Sequence, residues 1–265
     1  MPKPVPFWHV DAFASRPFTG NQAAVMTLEA WPDDSVLQAI GEENMFAETA
    51  FLVRSTSTQA DWDLRWFTPT VEIRLCGHAT LAAGYVLLLA DGERDAVRFQ
   101  THKAGVLEVR RESDRFAVGL PAIPTEPGTF PEAVAALGGT PLEVWRNPDS
   151  YNVFLYASEA DVRALQPDYS TLANLGIDSF IATAPGSETD VVSRVFVPGS
   201  GVDEDPVTGS AHAVLTPFWT ARLGRNSFTA YQASARGGYL TCRLDGERVW
   251  LEGHCVTVVE GIFFL

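Results

Sequence analysis

The chain has 265 residues, 46% of them hydrophobic and 20% charged, and its formal net charge is −14. This length allows one large domain or two ordinary ones, and the composition is that of a globular protein with a substantial core. The excess of acid argues against nucleic acid or an anionic membrane surface as partner, and the longest apolar run, near residues 85–90, is too short to cross a bilayer.

In chain order, residues 5–13 are expected to form a strand with Trp8, Val10 and Ala12 on one face. A Pro- and Gly-bearing turn follows over residues 15–21, then a short strand over 23–28. Pro32, Asp33 and Asp34 open a helix to about Asn44, with Val36, Leu37 and Ile40 at helical spacing. Residues 48–53 and 62–67 are strands, the second alternating with Trp62, Leu64 and Trp66 on one face. An apolar helix follows Gly77, and then strands at 96–101, 105–110 and 115–119. The three prolines of residues 121–127 mark a linker between two domains, 1–120 and 121–265, with the last strand free to return to the first domain. The second half is expected to hold short helices after Pro131, at 161–166 and at 169–175, and strands at 151–156, 179–184 and 191–197. A second apolar helix runs from Gly209 to about Leu223, where Pro217 is expected to kink it. Strands at 239–244, 249–252 and 256–264 complete the chain, so each half is strands around one central helix, an α+β arrangement.

One stretch occurs twice. Residues 67–83 read FTPTVEIRLCGHATLAA and residues 196–214 read FVPGSGVDEDPVTGSAHAV. Each has Phe, one residue, Pro, an acid-bearing loop and then Gly, a polar residue and Ala at the head of the apolar helix; Arg65 and Arg194 precede the two Phe residues at one offset. The second loop is three residues longer, and the pattern suggests duplication. The free N–H groups of a helix's first turn attract an anion, so two such helix starts facing one another would suit a carboxylate.

Four residues are candidates for chemistry. Glu48 has Phe46, Ala47, Ala50 and Phe51 around it, and a desolvated carboxylate suits acid/base work; the competing reading is an exposed edge-strand Glu. His78, Asp205 and Ser210 can each be a helix cap or loop residue, but they fall at the same point of the two repeats. Cys76 stands at a helix start, where a thiol can become a base, yet Thr208 fills the matching place in the second half, which argues against a pair of thiols and for a structural Cys76. The three cysteines, Cys76, Cys242 and Cys255, lack metal spacing, and with their odd count and no signal peptide a reducing cytoplasm is expected. No phosphate loop, GxGxxG or GxSxG element is present, and His9, His102, His212 and His254 are scattered, His9 and Asp11 sharing a strand face.

At Asp11-Ala-Phe-Ala-Ser-Arg-Pro-Phe-Thr-Gly-Asn21, Glu48-Thr-Ala-Phe51, Phe67-Thr-Pro69 with Glu72, Cys76-Gly-His-Ala-Thr80 and Glu204-Asp-Pro-Val-Thr-Gly-Ser-Ala211, the chain resembles the phenazine-biosynthesis (PhzF-like) isomerase family, which has the diaminopimelate-epimerase-like fold. The resemblance covers nearly the whole chain. It implies two similar domains, each a curved sheet around a central helix, with the site between them and no metal or organic cofactor. The family's characterised member shifts a hydrogen within a dihydro-hydroxyanthranilate ring with one Glu as acid/base. Carried over by position, the catalytic residues are Glu48, His78 and Asp205, and the substrate-binding residues are Asn21, Gly77, Gly209 and Ser210. The family also implies a homodimer acting on a small, anionic molecule. Two departures, Gln22 after Gly20-Asn21 where the phenazine enzyme has Pro, and the Cys76-Gly-His-Ala-Thr80 segment, mean that the reaction class carries over better than the substrate. Two other readings stay open: a Cys76-dependent racemase or epimerase, and a binding protein that performs no chemistry.

Overall fold

In a computed structural model, which describes residues 3–265, the chain divides into two compact units, Met1–Leu120 with Glu252–Leu265, and Pro121–Leu251. Unit 1 contains β1 (Pro4–Ala12), β2 (Asn21–Leu28), α1 (Asp34–Asn44), β3 (Glu48–Arg54), β4 (Trp62–Phe67), β5 (Glu72–Ile73), α2 (Gly77–Ala90), β6 (Ala96–Thr101), β7 (Val106–Glu112) and β8 (Arg115–Pro121). Its ladder runs antiparallel from β1 to β2, parallel to β3, antiparallel to β4, parallel to β6, then antiparallel through β7 and β8. The two-residue strand β5 folds back on β4 and pairs Glu72 with Phe67.

Unit 2 contains β9 (Glu126–Pro127), α3 (Pro131–Leu137), β10 (Glu143–Asn147), β11 (Tyr151–Leu155), α4 (Glu159–Ala164), α5 (Tyr169–Asn174), β12 (Ser179–Pro185), β13 (Val191–Val197), β14 (Val202–Asp205), α6 (Gly209–Leu223), β15 (Ser227–Gln232) and β16 (Gly238–Asp245). The orientations repeat in order: β10 to β11 antiparallel, β11 to β12 parallel, β12 to β13 antiparallel, β13 to β15 parallel, β15 to β16 antiparallel. β14 folds back on β13 and pairs Glu204 with Phe196, as Glu72 pairs with Phe67. After β17 (Arg248–Gly253), β18 (Cys255–Phe264) lies antiparallel to β1.

The repeat extends to side chains. Arg65 donates Nε and Nη2 to the two oxygens of Glu72 at 2.7 and 2.8 Å, and Arg194 does the same to Glu204 at 2.8 and 2.9 Å. Each guanidinium also lies over its own Phe, Arg65 over Phe67 and Arg194 over Phe196. Planar forks of this kind bind a carboxylate with two parallel, charge-assisted hydrogen bonds. Here they clamp the loop ahead of each central helix to the strand that precedes it.

Both central helices are buried nearly all round because their first turns are built of Gly, Ala and other small residues that let strands approach. In α2 every residue from Gly77 to Gly84 is buried, and the helix lies against β1, β2, β3, β6, β7 and β18. Gly84 leaves no room for more: a Cβ there would stand 2.4 Å from Val109 Cβ. On the other side of the sheet, Leu37 and Ile40 of α1 pack with Val5, Met26, Phe51 and Phe67, whereas Val36 faces outward.

Two expectations change on contact with the structure, and a proline inside a helix is accounted for. As expected, α6 runs from Gly209 to Leu223 with Pro217 inside it. The carbonyl that Pro217 cannot serve, that of Ala213, accepts instead from Ile123 N–H at 3.2 Å, which removes the main penalty of a mid-helix proline. The 121–127 segment is not only linker, since Glu126 and Pro127 pair with β10. Strands β10 and β15 were not expected; β15 is short and its buried face is Phe228, Ala230 and Gln232, one large apolar, one small and one polar residue, so its apolar period is faint.

Candidate functional site

The loop between β1 and β2 is held by a buried acid. Asp11 is fully buried and accepts from Phe18 N–H at 2.7 Å. The chain then turns through left-handed residues, Phe18 at φ 71° and Gly20 at φ 66°. A Cβ on Gly20 would lie 2.2 Å from Ala12 O, so only glycine meets both demands. This turn delivers Asn21, buried, to the start of β2 and to His78 on the first turn of α2. His9, which shares a face with Asp11, stacks on Phe46 at a centroid separation of 4.2 Å and contacts Gln22 Nε2 at 3.2 Å.

Around His78 four groups converge. Asn21 Nδ2 is 3.2 Å and Cys76 Sγ 3.5 Å from Nδ1. On the other edge of the ring Nε2 is 3.2 Å from Gln22 O and 3.0 Å from Glu48 Oε2. In the neutral ring with its proton on Nε2, the N–H aims at the Gln22 carbonyl and Nδ1 accepts from the amide and the thiol; in the imidazolium both nitrogens donate. Glu48 Oε2 then stands beside the imidazole off the N–H axis: it is buried and accepts no hydrogen bond. Glu48 is not on an edge, because β3 lies between β2 and β4. The side chain of Glu48 is 15% exposed against 4% for His78, so the carboxylate is the part of this cluster nearest to solvent.

Burial pushes the Cys76 thiol up to about 11, with the charge of Glu48 adding to it, so the sulfur is protonated at neutral pH. Burial opposes an imidazolium at His78, but the acidic groups Cys76 and Glu48 more than reverse this and hold it above the ordinary histidine range. Since the thiol is uncharged at neutral pH, we assign that rise to Glu48. Glu48, Cys76 and His78 each offer one ligand atom, all within 4.8 Å of one another, and among the described residues they form the group of three such donors that could hold a metal ion.

In unit 2 the matching helix start is built differently. Thr208, the residue before α6, donates Oγ1 to Asp205 Oδ2 at 2.6 Å, and its N–H donates to Gln232 Oε1 at 2.8 Å. Gln232 Nε2 in turn donates to Asp205 O at 2.6 Å. One buried amide from β15 therefore fixes the whole Asp205-to-Thr208 loop. Neither Cys76 nor Thr208 caps its helix with its own side chain, which leaves the first-turn N–H groups at Gly77 and Gly209 without that partner. Ser210 is half-buried on the first turn of α6. One turn on, Thr80 Oγ1 donates to Cys76 O and His212 Nδ1 lies 2.8 Å from Thr208 O, the same contact from different side chains.

The structure thus gathers Asn21, Glu48, Cys76, Gly77 and His78 in unit 1, and Asp205, Gly209 and Ser210 in unit 2. Sequence reasoning missed Gln232 and the backbone carbonyl of Gln22. The first sits on a strand with a weak pattern, and the second has no side-chain signal at all. His9 and Asp11 tie the loop and the Phe46 segment.

Residues 10–261 match the family described as phenazine biosynthesis-like protein. A Pseudomonas aeruginosa relative named an uncharacterized isomerase is 49% identical over 257 residues, covering 96% of this chain and 97% of its own length. A solved phenazine biosynthesis protein of the PhzF family from Enterococcus faecalis aligns with a TM-score of 0.89 at 39% identity, over 99% of this chain and 100% of that one. A hydroxyproline epimerase from Agrobacterium vitis, solved with trans-4-hydroxy-L-proline, aligns at 12% identity with a TM-score of 0.61 over 99% of this chain and 93% of that one, a likeness of fold alone. The α+β build, the doubled ladder and these matches together lead to one assignment: the chain belongs to the phenazine biosynthesis-like (PhzF) family.

Proposed function

We propose that the chain is an isomerase that moves a proton between two positions of a small carboxylate-bearing substrate, with Glu48 as the group that takes and returns it. The observation that carries this is the buried Oε2 of Glu48, 3.0 Å from His78 Nε2 yet accepting no hydrogen bond. A base aimed at a carbon-bound proton must be close, aligned and poorly solvated, and such a base supplies about 10²–10⁴-fold. His78 steadies the charged carboxylate, and its own orientation is held by Asn21 and the Gln22 carbonyl. In this reading the first-turn N–H groups at Gly77, beside Glu48 and His78, bind the substrate's anionic group. The proton returns to the same substrate, so no cofactor takes part.

The Cys76-dependent racemase has one observation on its side, the contact of Sγ with His78 Nδ1. Against it stand the raised thiol pKa and Thr208 at the matching place. Glu48→Gln keeps shape and hydrogen bonding while removing the titratable proton. It should abolish substrate-dependent deuterium uptake from heavy water while the substrate still binds, and Cys76→Ala should retain most of the uptake. If the Gln variant exchanges at the wild-type rate and the Ala variant is dead, the thiol reading replaces this one.

A further inference from the structure

The end of the sheet that carries Glu48 has little backbone pairing to hold it. Glu48 is the first residue of β3, and its partner Ala23 begins the β2–β3 ladder, so Gln22 lies one residue outside that ladder. The Gln22 carbonyl and the Glu48 carboxylate, at 3.2 and 3.0 Å from His78 Nε2, therefore stand where a ladder frays. The chain also enters β3 through Met45, a non-glycine residue at φ 53°, a conformation that persists only where its surroundings impose it.

What imposes it lies on the opposite face of the sheet. Successive side chains of a strand alternate between faces. Val10 is opposite Ala23 and Ala23 opposite Glu48, so these share one face, and His9, Asp11 and Gln22 turn to the other. There the His9 ring stacks on Phe46, two residues ahead of Glu48, with centroids 4.2 Å apart and planes inclined by 28°. The same ring brings Nε2 to 3.2 Å from Gln22 Nε2 and 3.8 Å from Asp11 Oδ1. In the neutral ring with its proton on Nδ1, Nε2 accepts the Gln22 amide N–H. Asn44 Nδ2 donates to Thr49 Oγ1 at 3.0 Å and closes the 45–48 segment from its other end.

We propose that His9 is a positioning residue for the Glu48–His78 pair, holding Phe46 ahead of the carboxylate and Gln22 beside the imidazole. The repeat supplies an internal control. Tyr151 pairs with Ser179 as Ala23 pairs with Glu48, and Phe180 with Phe196 as Thr49 with Phe67, so Ser179 stands at the Glu48 place. By the same register Arg146 stands at the His9 place and Ile177 at that of Phe46, and Ile177 is 75% exposed. The clamp is thus present in the half that has the acid and missing from the half that does not. The proposal rests on the function proposed above only in taking Glu48 and His78 as the acting pair.

The ligand-free, 15N-labelled full chain tests both arms of the clamp. His9→Gln restores an acceptor for Gln22 and removes the ring from Phe46. Deuterium uptake in the peptide covering residues 45–52 should then rise by about tenfold, and the His78 imidazole signals should shift. His9→Phe keeps a ring on Phe46 and removes the acceptor. Uptake in 45–52 should stay near wild type, while the His78 ring N–H exchanges with solvent about tenfold faster. Phe46→Ala, at a half-buried position ahead of the strand, should repeat the His9→Gln result, so the test stands even if a His9 variant does not fold. Leu107→Ala, buried on β7 three strands from β3, should lose stability in urea and leave both readings unchanged. The proposal is overturned if His78 and the 45–52 peptide read as wild type in His9→Gln and Phe46→Ala, if the ring N–H stays protected in His9→Phe, or if Leu107→Ala moves the readings equally. None of these outcomes touches the exchange test of Glu48→Gln, so this proposal and the function can fail separately.

Discussion

His212, on the second turn of α6, gives a prediction that needs no substrate. The residue is fully buried, its Nδ1 donates to Thr208 O at 2.8 Å, and its Nε2 is buried with no hydrogen-bond partner. A protonated ring would place a second N–H where nothing accepts it. Burial accordingly lowers its pKa from 6.5 to about 4, with the Thr208 carbonyl opposing in part. Above 6.5 the ring is neutral in both folded and unfolded chains, and the stability is fully present. Below 6.5 the unfolded chain takes up a proton that the folded chain refuses, so stability falls by about 1.36 kcal/mol per pH unit until the folded ring also protonates near pH 4. The whole loss is roughly 3 kcal/mol. His212→Asn keeps an N–H at the Nδ1 position and removes the titration. Its smaller volume should cost about 1–2 kcal/mol at pH 7.5. Urea unfolding of both proteins between pH 7.5 and 4 should therefore show a wild-type advantage that shrinks and then reverses. A gap that stays constant over that range would falsify the account of His212 as a buried neutral ring.

Two further substitutions test the scaffold. Arg194→Met removes the fork on Glu204, whose side chain is 18% exposed, and leaves that carboxylate without its guanidinium; unit 2 should lose about 3 kcal/mol in urea unfolding, and a loss under 1 kcal/mol would show the pair to be solvent-screened. Gly20→Ala meets both a left-handed φ of 66° and the Ala12 carbonyl at 2.2 Å. It should destabilise unit 1 by at least about 2 kcal/mol and shift the His78 imidazole NMR signals through Asn21, and an unperturbed His78 would contradict the link drawn from the loop to the site.

Local pattern alone determined much of this protein. The strand over Trp62–Phe67 alternates apolar and charged residues as far as Trp66, and the helix over Gly209–Leu223 is a long apolar run after a glycine, so both follow from their own residues. The doubled Phe-x-Pro stretch disclosed the repeat because both copies keep the same order. The forks were also within reach, since the Arg-to-Glu spacing of 7 in the first copy and 10 in the second differs by the three extra loop residues. What the sequence could not supply were contacts between residues distant along the chain. Glu48 and His78 are thirty positions apart and meet only because β3 and α2 pack together. Pro217 is tolerated because Ile123, far upstream, serves the carbonyl it leaves. Gln232 orders the Asp205 loop from a strand whose apolar pattern is too faint to read. In each case a polar group is satisfied by a partner that the tertiary packing chooses, and periodicity records which face is buried, not which donor will be waiting there.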